Sequence, residues 1–132
     1  MSSNARVFIS CGQKPEELRI AENIANVLVS MNFEPYIARN QQTLNGVVEN
    51  IFSKLNESEY FLFIDFKRER LCKLENDKYV PDIFHRGSLF SHQELALATF
   101  LKDMKIIAFQ ESGVKSEDGI LRFIQAKLLQ IL

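Results

Sequence analysis

A chain of 132 residues, 46% hydrophobic and 25% charged, is the size of one domain built on one core, and no apolar run in it reaches the length of a membrane span. Its formal charge of −1 gives no electrostatic reason for nucleic acid to be the main partner, and Met1-Ser2-Ser3-Asn4 leads into a strand pattern rather than a secretion signal. Cys11 and Cys72 form no C-x-x-C pair, and His85 and His92 are poorly spaced for zinc, so a cytoplasmic setting without disulfides or a resident metal is expected.

In chain order, Arg6-Val7-Phe8-Ile9-Ser10 is a β-branched and aromatic run suited to a buried central strand. After a turn at Cys11 to Lys14, Pro15 at a first helical position with Glu16 and Glu17 behind it opens a helix. Its apolar residues Leu18, Ala21, Ala25, Leu28 and Met31 recur at helical spacing to about Asn32. Glu34-Pro35-Tyr36-Ile37-Ala38 reads as a second strand, and its proline favours a sheet edge. The polar run Arg39 to Gly46 is longer than an ordinary α/β connection, which makes it a candidate binding loop. Val47, Val48, Ile51, Phe52 and Leu55 follow at helical spacing.

Tyr60 to Phe66 is the most hydrophobic strand, apolar on both faces as inside a parallel sheet, with Asp65 interrupting it near its carboxyl end. Lys67 to Phe84 is an insertion of mixed charge and weak periodicity. A helix ending near Leu101 precedes a fourth strand, Lys105 to Phe109. Gln110 to Lys115 then loops out, and Ser116, Glu117 and Asp118 start a last helix carrying Ile120, Leu121, Ile124, Leu128 and Leu132. The apolar ending Gln130-Ile131-Leu132 points to packing against a further domain or subunit.

This alternation predicts a single α/β domain over 1–132, a flavodoxin-like three-layer sandwich whose mainly parallel sheet has the order 2-1-3-4. Such sheets bind ligands at the carboxyl ends of their strands, where the strand order reverses, here between strands one and three. Ser10 to Gln13, Arg39 to Asn45, Asp65 to Arg70 and Arg86 to Glu94 all project from that rim.

The richest of these segments is Arg86-Gly87-Ser88-Leu89-Phe90-Ser91-His92-Gln93-Glu94, a polar loop entering a helix. With Ser91 as N-cap, Glu94 falls in the first turn and completes a Ser-x-x-Glu capping box, a purely structural role. Alternatively it faces a nucleotide cleft, with Phe90 for stacking and Ser88, His92 and Arg86 for hydrogen bonds or phosphate contact. Asp65 suits a ribose hydroxyl or, equally, a local turn. Lys67, Arg68 and Arg70 lie among Glu69 and Glu75 and read more simply as a solvated charged loop.

No G-x-G-x-x-G or G-x-x-x-x-G-K-[ST] is present, and Ser10-Cys11-Gly12 stands where a phosphoacceptor receiver would carry acids. Cys11 has no evident base partner and reads as a buried, inert thiol. A strong carboxylate among neutral donors and aromatics remains. It suits cleavage at an anomeric carbon, where an oxocarbenium-like centre develops positive charge that an ionised Glu94, favoured by the helix dipole, would face.

Val7-Phe8-Ile9-Ser10 resembles the first box of TIR domains, Arg39 to Gly46 their loop after the second strand, and Phe90-x-x-x-Glu94 the aromatic-x-x-x-Glu motif of NAD-cleaving TIR enzymes. His92, two before the glutamate, matches some animal members. Nucleoside 2-deoxyribosyltransferases are similar too, sharing the fold and using a glutamate nucleophile. Arg6 replaces the usual acidic residue before the first box, Cys11 replaces an aromatic, the loop lacks a proline and no Phe-Trp box appears, so the resemblance is to prokaryotic-type effectors more than to adaptor modules.

The resemblance implies Glu94 as the catalytic carboxylate, Ser10, Cys11 and Gly12 as a cradle below the nicotinamide ribose, and Phe90 beside the ring or the catalytic loop. Arg39 and Asn40 would lie on a loop that touches a neighbouring protomer. The expected activity is that of a cytoplasmic NAD+ glycohydrolase giving nicotinamide and ADP-ribose or a cyclised form, a defence or signalling effector activated by self-association. NAD is then substrate, with no permanently bound cofactor. A non-catalytic TIR interaction module, and a nucleoside 2-deoxyribosyltransferase or nucleotide N-glycosidase, are the alternatives.

Overall fold

The computed structural model describes residues 4–39, 42–101, 104–115 and 128–131, with Phe90, Leu101 and 128–131 described by backbone alone. Five strands, β1 (Arg6–Ser10), β2 (Glu34–Ile37), β3 (Tyr60–Asp65), β6 (Lys105–Glu111) and β7 (Leu128–Ile131), form one sheet in the order β2-β1-β3-β6-β7. Every pairing in it is parallel. The expected 2-1-3-4 arrangement is therefore present as β2-β1-β3-β6, with Pro35 on an edge strand as its missing N–H requires.

Side chains alternate across the sheet, and each set finds its own helices. Phe8, Phe61, Phe63 and Ala108 pack on one face with Ile51, Leu55, Leu95 and Ala98. Val7, Ile9, Leu62 and Ile64 pack on the other with Cys11 and Ala21. Thus α1 (Pro15–Ser30) covers the second face. The first is covered by α4 (Leu89–Leu101) and by a run in three pieces: α2 (Leu44–Gly46), a π-helical segment (Val47–Phe52) and α3 (Ser53–Glu57). The α1 helix stops at Ser30 because Asn32 turns left-handed, at φ 67°, and Phe33 N–H closes the end on Leu28 O at 2.9 Å.

Two expectations change. The Lys67 to Phe84 insertion is mostly an antiparallel hairpin, β4 (Arg70–Glu75) with β5 (Lys78–His85). Asn76 and Asp77 both take positive φ in the two-residue turn that twisted hairpins favour. The helix expected over Ser116 to Leu132 is not helical where it is described: Leu128–Ile131 is β7, parallel to β6, and 116–127 and Leu132 lie outside the described residues. Leu128, Leu129 and Ile131 fit a strand as well as a helix, and pairing with β6 satisfies an edge that would otherwise leave its backbone groups open. Among the described residues no helix is long and apolar enough to cross a membrane.

Candidate active site

The helix that carries Glu94 begins two residues before Ser91. Ser88 is the capping residue: its Oγ accepts from Ser91 N–H at 3.5 Å, and Ser91 Oγ donates back to Ser88 O at 3.1 Å. No acidic residue lies in the first turn, so the expected Ser91 cap and Ser-x-x-Glu box do not form. Glu94 instead sits in the second turn, facing the end of β1.

There Glu94 is 2% exposed, and its Oε1 accepts from the wholly buried Ser10 Oγ at 2.5 Å. Its Oε2 has no hydrogen-bond partner among the described residues. Burial pushes the carboxyl up to about 8, against the opposing pull of the Ser10 bond. The ionised side chain expected from the helix dipole is thus overturned: one turn further in, desolvation outweighs dipoles whose reach ends with the first turn. A cavity of about 490 Å³ opens beside it between the π-helical segment and α4, walled by Val47, Ile51, Phe52, Leu97 and Phe100, with Gln93 and Glu94 as its polar members.

A second cluster forms at the ends of β3 and β6, where Asp65 and Gln110 are register partners. Asp65 is completely buried. His92 Nε2 lies 3.1 Å from each of its oxygens, and Gln110 Nε2 donates to Oδ2 at 3.1 Å. The imidazole stands edge-on to Phe63, with ring centroids 5.2 Å apart. Gly87 lies so close that a Cβ there would fall 1.7 Å from Asp65 Oδ1. Asp65 therefore meets His92 rather than closing a turn. Gln110 and Gly87 escaped the sequence reading, although a glutamine ending an apolar strand and a glycine beside a polar motif were visible signals.

Other candidates go elsewhere. Cys11 faces the α1 side of the sheet, and burial, with Glu17 and Glu94 nearby, pushes its thiol up to about 12. Both features fit the buried thiol expected from the sequence. Gly12 is roofed by the Arg68 guanidinium, which pairs through both terminal nitrogens with buried Glu17. Arg68 is thus a clamp and not part of a solvated loop, a role that Glu17's early helical position could have suggested. Lys67 pairs with Glu111, and Arg70 Nε donates to Asp82 O. Arg39 pairs with Glu22 at 3.4 Å on the surface, and Arg86 pairs with Glu69 there. Asn40 lies outside the described residues, and Phe90 is placed in the first turn of α4 by its backbone alone.

Among the described residues no three His, Cys, Asp or Glu side chains gather as metal ligands. Two groups of predicted residues do come together, Ser10 with Glu94 and Asp65 with His92, on the same face of the same rim. No protein-family model matches the sequence and no curated protein matches it, so the meaning of this rim rests on its own geometry.

Proposed function

We propose that this chain is a TIR-like NAD+ glycohydrolase that breaks the nicotinamide N-glycosidic bond and acts as a signalling or defence effector. The observation that carries the reading is Glu94: a buried carboxyl tied to the end of β1 by Ser10, with one oxygen unpartnered among the described residues, beside an apolar cavity.

A flat aromatic ring suits walls of Val47, Ile51, Phe52 and Leu97. Nicotinamide in NAD+ is also a cation. Brought beside Glu94, it favours loss of the carboxyl proton, so the anion forms when the substrate arrives. The C–N bond then breaks, its electron pair leaves with neutral nicotinamide, and the Glu94 carboxylate faces the positive charge on the ribose carbon. Capture by water gives ADP-ribose, and capture by a group of the same molecule gives a cyclic product.

The proton that Glu94 holds at neutral pH favours a second reading, a nucleoside deoxyribosyltransferase or N-glycosidase, because a neutral leaving base benefits from an acid. Chromatography of products from NAD+ and from deoxynucleosides separates the two. Nicotinamide release by the wild-type protein, concentrated or with an activating partner, and its loss in Glu94→Gln, is the expected result. Undiminished release by Glu94→Gln would overturn both readings, and base exchange without dinucleotide cleavage would select the second.

A further inference from the structure

We propose that the β4–β5 hairpin is a contact between two copies of this chain, which stack the uncharged faces of their ribbons with the strands running in opposite directions. The inference does not depend on the cleavage proposed above.

The register sorts the ribbon into two unlike faces. Cys72 opposite Pro81 and Leu74 opposite Tyr79 share one face, whereas Lys73 opposite Val80 and Glu75 opposite Lys78 share the other. The first face carries no charge, yet all four of its residues are exposed, Leu74 at 62% and Tyr79 at 81%. Val80, which is half-buried, lies on the charged face. The ribbon is thus inverted relative to one that packs its apolar side on its own domain, and a two-stranded sheet needs such packing to be stable.

Charge selects the occupant. Arg70, Lys73 and Lys78 balance Glu75, Asp77 and Asp82, so the hairpin has no excess cation with which to hold an anionic lipid surface. Its two ends, however, carry unlike charges. Asp77 sits in the turn and Arg70 at the base, where its Nε donates to Asp82 O at 2.8 Å, and among the described residues neither has a partner of opposite charge. Two ribbons stacked in opposite directions, about 10 Å apart, lay Leu74 and Tyr79 of each over Cys72 and Pro81 of the other. The same stacking brings each Asp77 to the other copy's Arg70, so the surface is complementary to itself. The uncharged face presents roughly 400 Å² per copy, and with its flanking charges the pair buries about 1,000 Å², the lower end for a specific contact. The dimer is therefore weak and governed by concentration.

A cross-link specific to this face supplies the test, because Cys72 lies on it and the other thiol, Cys11, is buried. Wild type, Cys72→Ser, Tyr79→Asp, Arg70→Glu, Asp77→Lys and the double variant with both charge reversals are treated with a short bis-maleimide over a concentration series. Sedimentation velocity and circular dichroism melts run alongside. Wild type should give a covalent dimer whose yield rises with concentration, and Cys72→Ser should give none. Tyr79→Asp, at an exposed position that leaves the fold intact, should lower the yield at least about tenfold. Each charge reversal should lower it too, and the double variant should restore it. A wild type that sediments as a monomer throughout overturns the inference, whether or not it floats with anionic lipid vesicles. So does a dimer that Cys72 does not cross-link, or whose yield Tyr79→Asp leaves unchanged. A double variant with a wild-type melt that fails to recover the yield overturns the opposed stacking and with it the proposal.

Discussion

Glu94 spends neutral pH as an acid, and the sign of its effect on stability follows from that. Its folded value of about 8 lies above the ordinary 4.5, so between the two the folded state binds a proton that the unfolded state does not. Its contribution is complete below the lower value, declines as pH rises toward 8, and is constant above. Glu94→Gln should remove that decline and gain on the order of a few kcal/mol over wild type at pH 9. Urea unfolding at pH 5, 7 and 9 measures it, and parallel curves for the two proteins would contradict the burial argument. For the wild-type protein, kcat/KM of the proposed cleavage should rise with pH and level off near 8 as the free carboxyl ionises. Ser10→Ala removes the one interaction that lowers this value, so the rise should move to higher pH, at a cost of about 1 kcal/mol in stability. Gly87→Ala would drive a methyl group onto Asp65 Oδ1 and should cost about 1–3 kcal/mol, read by the same unfolding assay.

Between elements, one polar link is the clamp of Arg68 onto Glu17. It joins the start of the insertion to the first turn of α1 across Gly12, and backbone bonds from Arg68 N–H to Arg86 O and from Arg86 N–H to Glu69 O close the base of the hairpin. Arg68→Ala strands a carboxylate that is 5% exposed, so a loss of about 2–4 kcal/mol is expected. Arg68→Met with Glu17→Gln should recover much of it, which a double-mutant cycle in urea measures. Most elements were legible because their signals are local: Pro15 with two acids starts α1, and unbroken apolar residues mark β3 as interior. The start of α4 was misread because Ser88 and Ser91 are both acceptable caps, and only the backbone distinguishes them. The hairpin was missed because its apolar residues Leu74, Tyr79 and Ile83 stay exposed, so its pattern carries no burial.

At the scale of the molecule, exposed apolar side chains include some on the two elements that wall the cavity. Phe100, one of its walls, is 74% exposed, Leu44 at the start of the helical run is 78% exposed, and Val48 is exposed beside it. If the effector acts by self-association, as we propose, these exposed side chains are among those such a contact would cover. Leu44→Asp with Phe100→Asp should weaken self-association at least about tenfold and flatten the dependence of specific activity on protein concentration. Sedimentation velocity over a concentration series measures the first and nicotinamide release the second. An unchanged series would make the relay or effector role independent of these side chains.

Local rules acting on the sequence alone determined the α/β class, the strand order through β6 and the edge position of Pro35, because hydrophobic period and proline chemistry act over a few residues. Tertiary structure decided which oxygen meets which donor. Ser10 finds Glu94 across 84 positions, Asp65 finds His92 across 27, and Arg68 finds Glu17 across 51. It also decided that Glu94 holds its proton, since desolvation depends on everything packed around a group and not on its neighbours in sequence.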